Sequence, residues 1–249
     1  MSGHSKWHSI KHKKGAADAA RGKLFAVLIR QIEISARSGG SDPASNATLR
    51  SMIQKARDNS LPVDTIQRAI RRGSGEEEGV IYESVSYEGY AASGVAVIVQ
   101  ALTDNRNRTS AEIKNIFSRN GGSFAEPGAV SWQFERKGVV QVDRAADEDE
   151  LMLVAADAGA DDIQDLGDAW HVMTPPTELH AVRSAIEEAG IAVKSSDLTM
   201  IPTTSVALDQ VDKAKSVLRL MDALEDHDDV EAVYANFDIP DAVLEAVSV

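Results

Sequence analysis

The sequence predicts an α+β protein of three domains, with an N-terminal helical bundle followed by two α/β domains, one inserted in the other. Three observations predict this fold class. Apolar residues recur at helical spacing as far as Ile70. A linker rich in glycine and glutamate follows at residues 73–79. From residue 80 onward, short stretches with strand-like alternation take turns with helical ones.

Three helices are predicted before the linker. The first covers about residues 16–38 and ends at Gly39-Gly40, because glycine readily adopts the left-handed backbone that ends a helix. The second follows Asp42-Pro43, an N-cap-like start, and is broken at Leu61-Pro62. The third begins near Val63. Its inward residues are expected to be Val63, Ile66 and Ile70, with Arg68, Arg71 and Arg72 on the far side.

Strands and helices alternate in the rest of the chain. Strands are expected near 83–88 and 95–102, followed by a helix capped by Asp104. Strands near 129–135 and 139–142 come next, and the elements up to residue 198 follow the β-α-β-β-α-β layout of a ferredoxin-like domain. A strand near 199–203, a helix and a last strand complete the chain. The predicted domains are a basic flexible tail at 1–20, a three-helix bundle at 21–78, an α/β domain at 79–137 plus 201–249, and an inserted α/β domain at 138–200.

Positive charge is concentrated at the N-terminal end. The whole chain has 26 Lys/Arg and 39 Asp/Glu residues. Residues 1–75 hold 14 of the basic and 5 of the acidic residues, which gives this region a net charge of +9. The remainder holds 12 basic and 34 acidic residues, which gives it a net charge of −22. Such asymmetry predicts a polyanion-binding end joined to an acidic remainder that limits non-specific adhesion. A solvated basic bundle without a partner is the alternative.

Several function classes find no support in the sequence. The chain has no cysteine, which fits a reducing compartment. Neither a membrane-spanning apolar run nor a signal peptide is recognisable. A cytoplasmic location is therefore expected. It has no P-loop and no G-x-S-x-G elbow, so we expect no enzymatic activity, no cofactor and no small-molecule substrate. The histidines at 4, 8 and 12 could line one helix face, but they lack a nearby carboxylate, so contact with a polyanion is favoured over a metal site.

Two segments favour nucleic acid. The basic tail contains Trp7 among its lysines and histidines, and cations displace counterions from phosphate while an exposed indole can stack on a base. The TDNRNRT segment at 103–109 places two arginines at a helix N-terminus, where the helix dipole disfavours cations. An anionic partner or a structural ion pair is equally consistent with it. The predicted nucleic-acid-binding residues are His4, Lys6, Trp7, Lys11, His12, Lys13, Lys14, Arg21, Lys23, Arg30, Arg68, Arg71, Arg72, Arg106 and Arg108.

Distinctive motifs are spread over nearly the whole chain. They are GHSKW at 3–7, IKHKK at 10–14, RGK at 21–23 with Phe25, Gly39-Gly40, Asp42-Pro43, Leu49-Arg50, RAIRRG at 68–73, YEGY at 87–90, TDNRNRT at 103–109, NGG at 120–122 and VSW at 130–132. Together these motifs resemble those of the YebC family. The chain departs from the family's usual pattern at Val27, where a lysine is common, and at Ala91-Ala-Ser-Gly94, where Gly-Pro-Gly-Gly is frequent.

The resemblance implies a non-enzymatic protein of three domains and two competing functions. Family members have long been described as probable DNA-binding transcriptional regulators. The family is also similar to the mitochondrial translational activator of cytochrome c oxidase, and some bacterial members relieve ribosome stalling at proline-rich stretches. We therefore expect a nucleic-acid partner, with ribosomal RNA favoured, the ribosome and tRNA as associated partners, DNA as the alternative, and no membrane.

Overall fold

The computed structural model describes residues 17–167 and 169–248. The predicted basic tail therefore lies, up to residue 16, outside the described residues. The confirmed fold class is α+β, with a helical bundle ahead of two sheet-containing units. Among the described residues, no helix is long and apolar enough to span a bilayer.

The bundle forms because each of its helices has one continuous apolar stripe. Leu28 and Ile32 of the first helix pack on Leu49 of the second and Ile66 of the third. The predicted start at Asp42-Pro43 is wrong, because these residues form a turn and the N-cap is Asn46, whose side chain accepts from Leu49 N at 3.0 Å. The helices are α1 (Ala17–Gly39), α2 (Ala47–Asp58) and α3 (Val63–Ser74).

The predicted inward position of Val63 is also wrong. Val63 is exposed, since it is the first residue of α3 and precedes the turn that contacts α1. The inward stripe of α3 begins at Ile66 and continues through Ala69 and Ile70. The helix ends at Gly75, whose φ of 85° gives the left-handed C-cap.

The remaining elements, in chain order, are β1 (Glu83–Tyr90), β2 (Ala96–Thr103), α4 (Arg106–Arg119), β3 (Ser123–Ala125), β4 (Phe134–Asp143), α5 (Glu148–Asp157), β5 (Asp162–Asp165), β6 (Ala169–Thr174), α6 (Leu179–Glu188), β7 (Val193–Pro202), β8 (Val206–Ala207), α7 (Val211–Glu225), β9 (Val230–Ala235), β10 (Phe237–Asp238) and α8 (Asp241–Ser248). Their strands form two antiparallel four-stranded sheets and one short parallel pair, β8 with β10. The outer four-stranded sheet has the strand order β3-β1-β2-β9, and the inserted sheet has the order β5-β6-β4-β7.

The two sheets differ in connectivity. The inserted sheet runs β-α-β-β-α-β, with the first strand β4 between β6 and β7, which is the ferredoxin-like arrangement. The outer sheet instead starts with the β1–β2 hairpin and is completed by β9 after the insertion. Helices cover one face of each sheet: α4 and α7 pack on the outer sheet, and α5 and α6 pack on the inserted one.

Two strands are longer than predicted. Residues 134–143 form the single strand β4 instead of two, and residues 193–202 form the single strand β7. The two strands pair from Phe134↔Pro202 to Val142↔Val193, so neither backbone has a reason to break. Gly138 suggests a turn in the sequence, but a Cβ there would lie 2.4 Å from Thr174 Oγ1, so the glycine permits close packing.

Ion pairs hold the bundle against the inserted sheet. Arg183 of α6 is buried and donates to both carboxylate oxygens of Asp58, at 2.7 and 3.1 Å. Lys55 of α2 pairs with Asp197 of β7 at 2.8 Å. Because Asp58 ends α2, these contacts fix that end of the bundle on α6 and β7.

The α1–α3 crossing depends on a helical glycine, which gives a stability prediction. A Cβ on Gly73 would lie 2.4 Å from the carbonyl oxygen of Glu33 and 2.8 Å from Ala36 Cβ. Gly73→Ala should therefore lower the free energy of unfolding by about 1–3 kcal/mol in urea titrations. Gly22, helical but with nothing within 4 Å of its Cβ position, is the control, and Gly22→Ala should stabilise by about 0.5–1 kcal/mol. A Gly73→Ala protein as stable as wild type would contradict the close crossing.

Candidate nucleic-acid interface

A buried carboxylate organises the residues of the TDNRNRT segment. Asp229, between α7 and β9, accepts from Arg108 Nη2 and from Thr109 Oγ1, both at 2.7 Å. Arg30 of α1 lies 3.7 Å from its other oxygen. Burial works to raise the pKa of Asp229, but the Thr109 and Arg108 donors outweigh it and leave the pKa lowered. We call these four residues the Asp229 cluster.

The TDNRNRT segment joins β2 to α4 by a local hydrogen-bond network. The predicted cap Asp104 is wrong: the N-cap is Asn105, whose side chain accepts from Arg108 N at 3.1 Å. Thr103 Oγ1 accepts from Asn105 N at 2.9 Å and lies 2.7 Å from Thr109 Oγ1. Asp104 pairs instead with the Arg108 guanidinium at 3.0 Å. The structure thus supplies the anionic partner of Arg108 from within the chain.

The two arginines of this segment differ in their surroundings. Arg108 is held by Asp104 and Asp229, so a structural ion pair accounts for it. Arg106 is exposed, and within the described part of the chain its side chain has no ion-pair partner. Of the two, Arg106 is the one available to an external anion.

Lys23 and Arg30 face the outer sheet. Lys23 Nζ donates to the carbonyl oxygens of Glu225 and of His227, the latter at 2.7 Å. Burial lowers its pKa in spite of the acidic residues nearby. Arg30 donates to Leu102 O at 3.3 Å and Asp228 O at 3.0 Å. Both side chains therefore dock α1 on the loop between α7 and β9.

The three arginines of α3 differ in exposure and in whether they form an ion pair within the chain. Arg72 was expected on the far side, but it turns toward α1 and pairs with the buried Glu33 at 2.6 Å. This position follows from the close α1–α3 crossing. Arg71 is exposed and pairs with Glu77 of the linker at 2.7 Å. Arg68 is exposed, with no ion pair among the residues that the structure describes.

The other predicted nucleic-acid-binding residues are either exposed or outside the described part of the chain. Arg21 is exposed and lies 5.3 Å from the ring centre of Phe25. The prediction omitted Arg37 and Arg57, which the structure shows as exposed cations of the bundle. Their charge was visible in the sequence, but their exposure was not. The predicted residues that lie outside the described part are His4, Lys6, Trp7, Lys11, His12, Lys13 and Lys14.

An exposed indole was also missed. Trp132 is 71% exposed, yet its Nε1 donates to Ala129 O at 3.1 Å, and Tyr90 OH donates to the same carbonyl at 3.0 Å. Glu88 braces this loop, because its buried carboxylate accepts from three backbone N–H groups, those of Gly128, Val130 and Ser131. Burial works to raise the pKa of Glu88, but these bonds prevail and lower it. The indole is therefore held in one orientation.

One group of side chains has the composition of a metal site. Potential ligand atoms of Glu112, His227 and Asp229 lie within 4.8 Å of one another. His227 Nε2 is 2.8 Å from Glu112, and its Nδ1 accepts from Asp229 N at 3.1 Å. Since Asp229 is also bonded to Arg108, a metal would have to displace protein contacts at each position. The geometry of these three side chains favours an internal hydrogen-bond network.

The Asp229 cluster gives a prediction about stability and pH. Asp229→Asn should lower the free energy of unfolding at pH 7 by about 1–3 kcal/mol, because Arg108 and Arg30 lose their charged partner. A carboxylate with a lowered folded-state pKa stabilises above its unfolded value, about 3.9, and this contribution is lost as pH falls through the folded value. The difference between wild type and variant in urea titrations should therefore shrink below about pH 4.

A neighbouring carboxylate provides the control. Asp228 is exposed in the same loop, and Asp228→Asn removes an equal charge with an expected effect within about 0.5 kcal/mol. Equal losses in the two variants would mean that net charge, and not the cluster, is responsible.

Comparison with known proteins supports the family resemblance. Residues 5–76 match the family model described as the TACO1/YebC protein N-terminal domain, and residues 82–237 match the one described as TACO1/YebC second and third domain. The chain is 52% identical over 246 residues to a "Probable transcriptional regulatory protein" of Salinispora arenicola, covering 98% of each chain. A protein of the same name from Beutenbergia cavernae is 53% identical over 247 residues, again covering 98% of each.

A solved structure agrees with the sequence relatives. The crystal structure of a conserved hypothetical protein from Aquifex aeolicus superposes with a TM-score of 0.84 at 43% sequence identity, covering 93% of this chain and 96% of that one. The fold, the motifs and the two family models lead to the same assignment. The chain belongs to the TACO1/YebC family.

Proposed function

We propose that this protein is a non-enzymatic, cytoplasmic regulator of gene expression that binds nucleic acid through its N-terminal region. The observation that carries this proposal is the charge separation, with +9 in residues 1–75 and −22 in the remainder. Phosphate attracts the first region and repels the second, so the protein would bind a polyanion in one orientation. The relatives' name, probable transcriptional regulatory protein, supports a regulatory role.

The contacts divide the predicted binding residues into two groups. Lys23, Arg30, Arg72 and Arg108 have carbonyl or carboxylate partners within the chain, and we assign them to positioning. Among the described residues, Arg21, Arg68 and Arg106 are exposed and have no ion-pair partner in the described part of the chain, while Arg71 is exposed and paired with Glu77. In the described part, the residues that we propose for phosphate contact are Arg21, Arg68, Arg71 and Arg106, together with the cations of residues 1–16.

We favour ribosomal RNA over DNA as the target. A DNA-reading helix needs several side chains directed at base edges. In α3, Arg72 is turned inward and Arg71 is paired with Glu77, which leaves Gln67 and Arg68. An exposed, oriented indole such as Trp132 suits stacking on an unpaired base, as in folded RNA. The family resemblance adds the ribosome and tRNA as partners and relief of stalling at proline-rich sequences as the effect.

DNA-binding transcriptional regulation is the second candidate. The printed name of the relatives favours it, and Gln67 and Arg68 are both exposed on α3. Crosslinking of the full chain in cells, followed by sequencing of the bound nucleic acid, separates the two. We expect enrichment of discrete ribosomal RNA segments. Enrichment of promoter DNA without ribosomal RNA would support transcriptional regulation instead.

The basic tail should dominate the salt dependence of binding. Replacing Lys11, Lys13 and Lys14 by Ala should reduce the slope of log K against log salt by about two to three units, since each phosphate contact contributes about 0.7–0.9. The measurement is fluorescence anisotropy with a ribosomal RNA fragment at several salt concentrations.

A triple variant in the acidic part provides the matched control. Lys213, Lys215 and Arg219 are exposed on α7, and their replacement by Ala removes the same charge. This control should leave the slope within about half a unit of wild type, because a distant cation releases no counterion. An equal loss of slope in both triple variants would show that net charge alone sets the affinity.

A further inference from the structure

We propose that the solvent face of α5 is a docking surface for a cationic amphipathic segment of a partner protein. This inference goes beyond the proposed nucleic-acid binding and does not depend on it. It combines an exposed apolar stripe with the strongly negative charge of the residues around it.

The stripe exists because α5 is apolar on two sides. Leu151 and Ala155 are buried against the inserted sheet, as the inward face of a surface helix requires. On the solvent side, Met152 at the flank of the helix is 50% exposed and Leu153, opposite the buried face, is 66% exposed. Ala156 is also exposed and lies on the same face, because it follows Met152 by four residues and Leu153 by three. An ordinary surface helix has polar residues there.

The inserted domain that carries the stripe is acidic. Residues 138–200 hold 14 Asp/Glu and 3 Lys/Arg, a net charge of −11. Each of the three cations has a carboxylate partner: Arg144 pairs with Asp165 at 2.9 Å, Arg183 with Asp58 at 2.7 Å and Lys194 with Asp143 at 3.4 Å. The first turn of α5 adds Glu148, Asp149 and Glu150.

These two properties determine the chemistry of the partner. A negative charge of this density repels phosphate, so neither nucleic acid nor an anionic lipid surface fits this face. Met and Leu side chains favour an apolar contact, and the rim of carboxylates favours Lys or Arg around it. A helix with leucines on one face and lysines on the other satisfies both requirements.

The test uses the full chain and a defined probe. A fluorescein-labelled amphipathic peptide of leucine and lysine, about 18 residues long, is titrated with protein and followed by anisotropy, with a leucine–glutamate peptide of the same pattern as control. We expect saturable, salt-sensitive binding of the lysine peptide and none of the glutamate peptide. Met152→Gln with Leu153→Gln should weaken binding about tenfold or more, because the bound peptide would no longer bury these two apolar side chains.

A second exposed apolar pair provides the matched control for the substitutions of Met152 and Leu153. Val80 and Ile81 are exposed in the linker region, and Val80→Gln with Ile81→Gln should leave the affinity unchanged. Circular dichroism should show wild-type helix content in both double variants, since glutamine is a good helix former at 152 and 153 and residues 80 and 81 lie outside any helix.

Three results would overturn the proposal. The first is equal binding by the Met152→Gln, Leu153→Gln variant. The second is self-association of the protein that this variant abolishes, which would identify a second copy as the occupant. The third is a tenfold gain in peptide affinity when residues 2–14 are deleted, which would identify the protein's own basic tail as the occupant.

Discussion

The carboxylate of Asp229 is the group on which the placement of the helical bundle depends. It accepts from Arg108 and Thr109 at the start of α4, and Arg30 approaches it from α1. A buried carboxylate without such donors would be costly, so the loop between α7 and β9, the N-terminus of α4 and α1 have to come together. Lys23 strengthens this junction through carbonyl groups of the same loop.

This junction reduces the number of basic residues that can contact phosphate. A cation that closes an internal contact cannot also lie free on phosphate, so the number of lysines and arginines overstates the binding surface. The structure assigns Arg30, Arg72 and Arg108 to internal ion pairs and leaves Arg21, Arg68 and Arg106 exposed. Binding to nucleic acid would then orient the α/β part through a junction that is already neutralised.

Opposite charges at the two ends suggest a division of labour. Since phosphate is attracted by the basic end and repelled by the acidic α/β part, binding of the proposed nucleic acid would leave the α5 face open to a protein. The Glu88-braced loop contributes a third feature, an exposed aromatic ring whose Nε1 donates to the backbone of the same loop. The molecule thus offers charge, a stacking surface and an apolar stripe at separate places.

The sequence by itself determined the order of the elements, the fold class, the charge separation and the family, because these depend on periodicity, composition and local motifs. Its errors lie where long-range pairing acts and at the exact ends of helices. Two predicted strand breaks vanish because β4 and β7 pair along their length, and the cap of α4 is Asn105, one residue beyond the expected Asp104.

Only the tertiary structure decided which cations are available. The His227 carbonyl that Lys23 contacts and the Asp229 carboxylate that Arg108 contacts lie 204 and 121 residues away in the chain, a distance that no spacing rule covers. The exposure of Trp132 was equally hidden, since an aromatic residue in a sequence is more often a core residue than a surface one. Burial and ion pairing are properties of the folded chain, and they separate the residues that hold this protein together from those that can bind a partner.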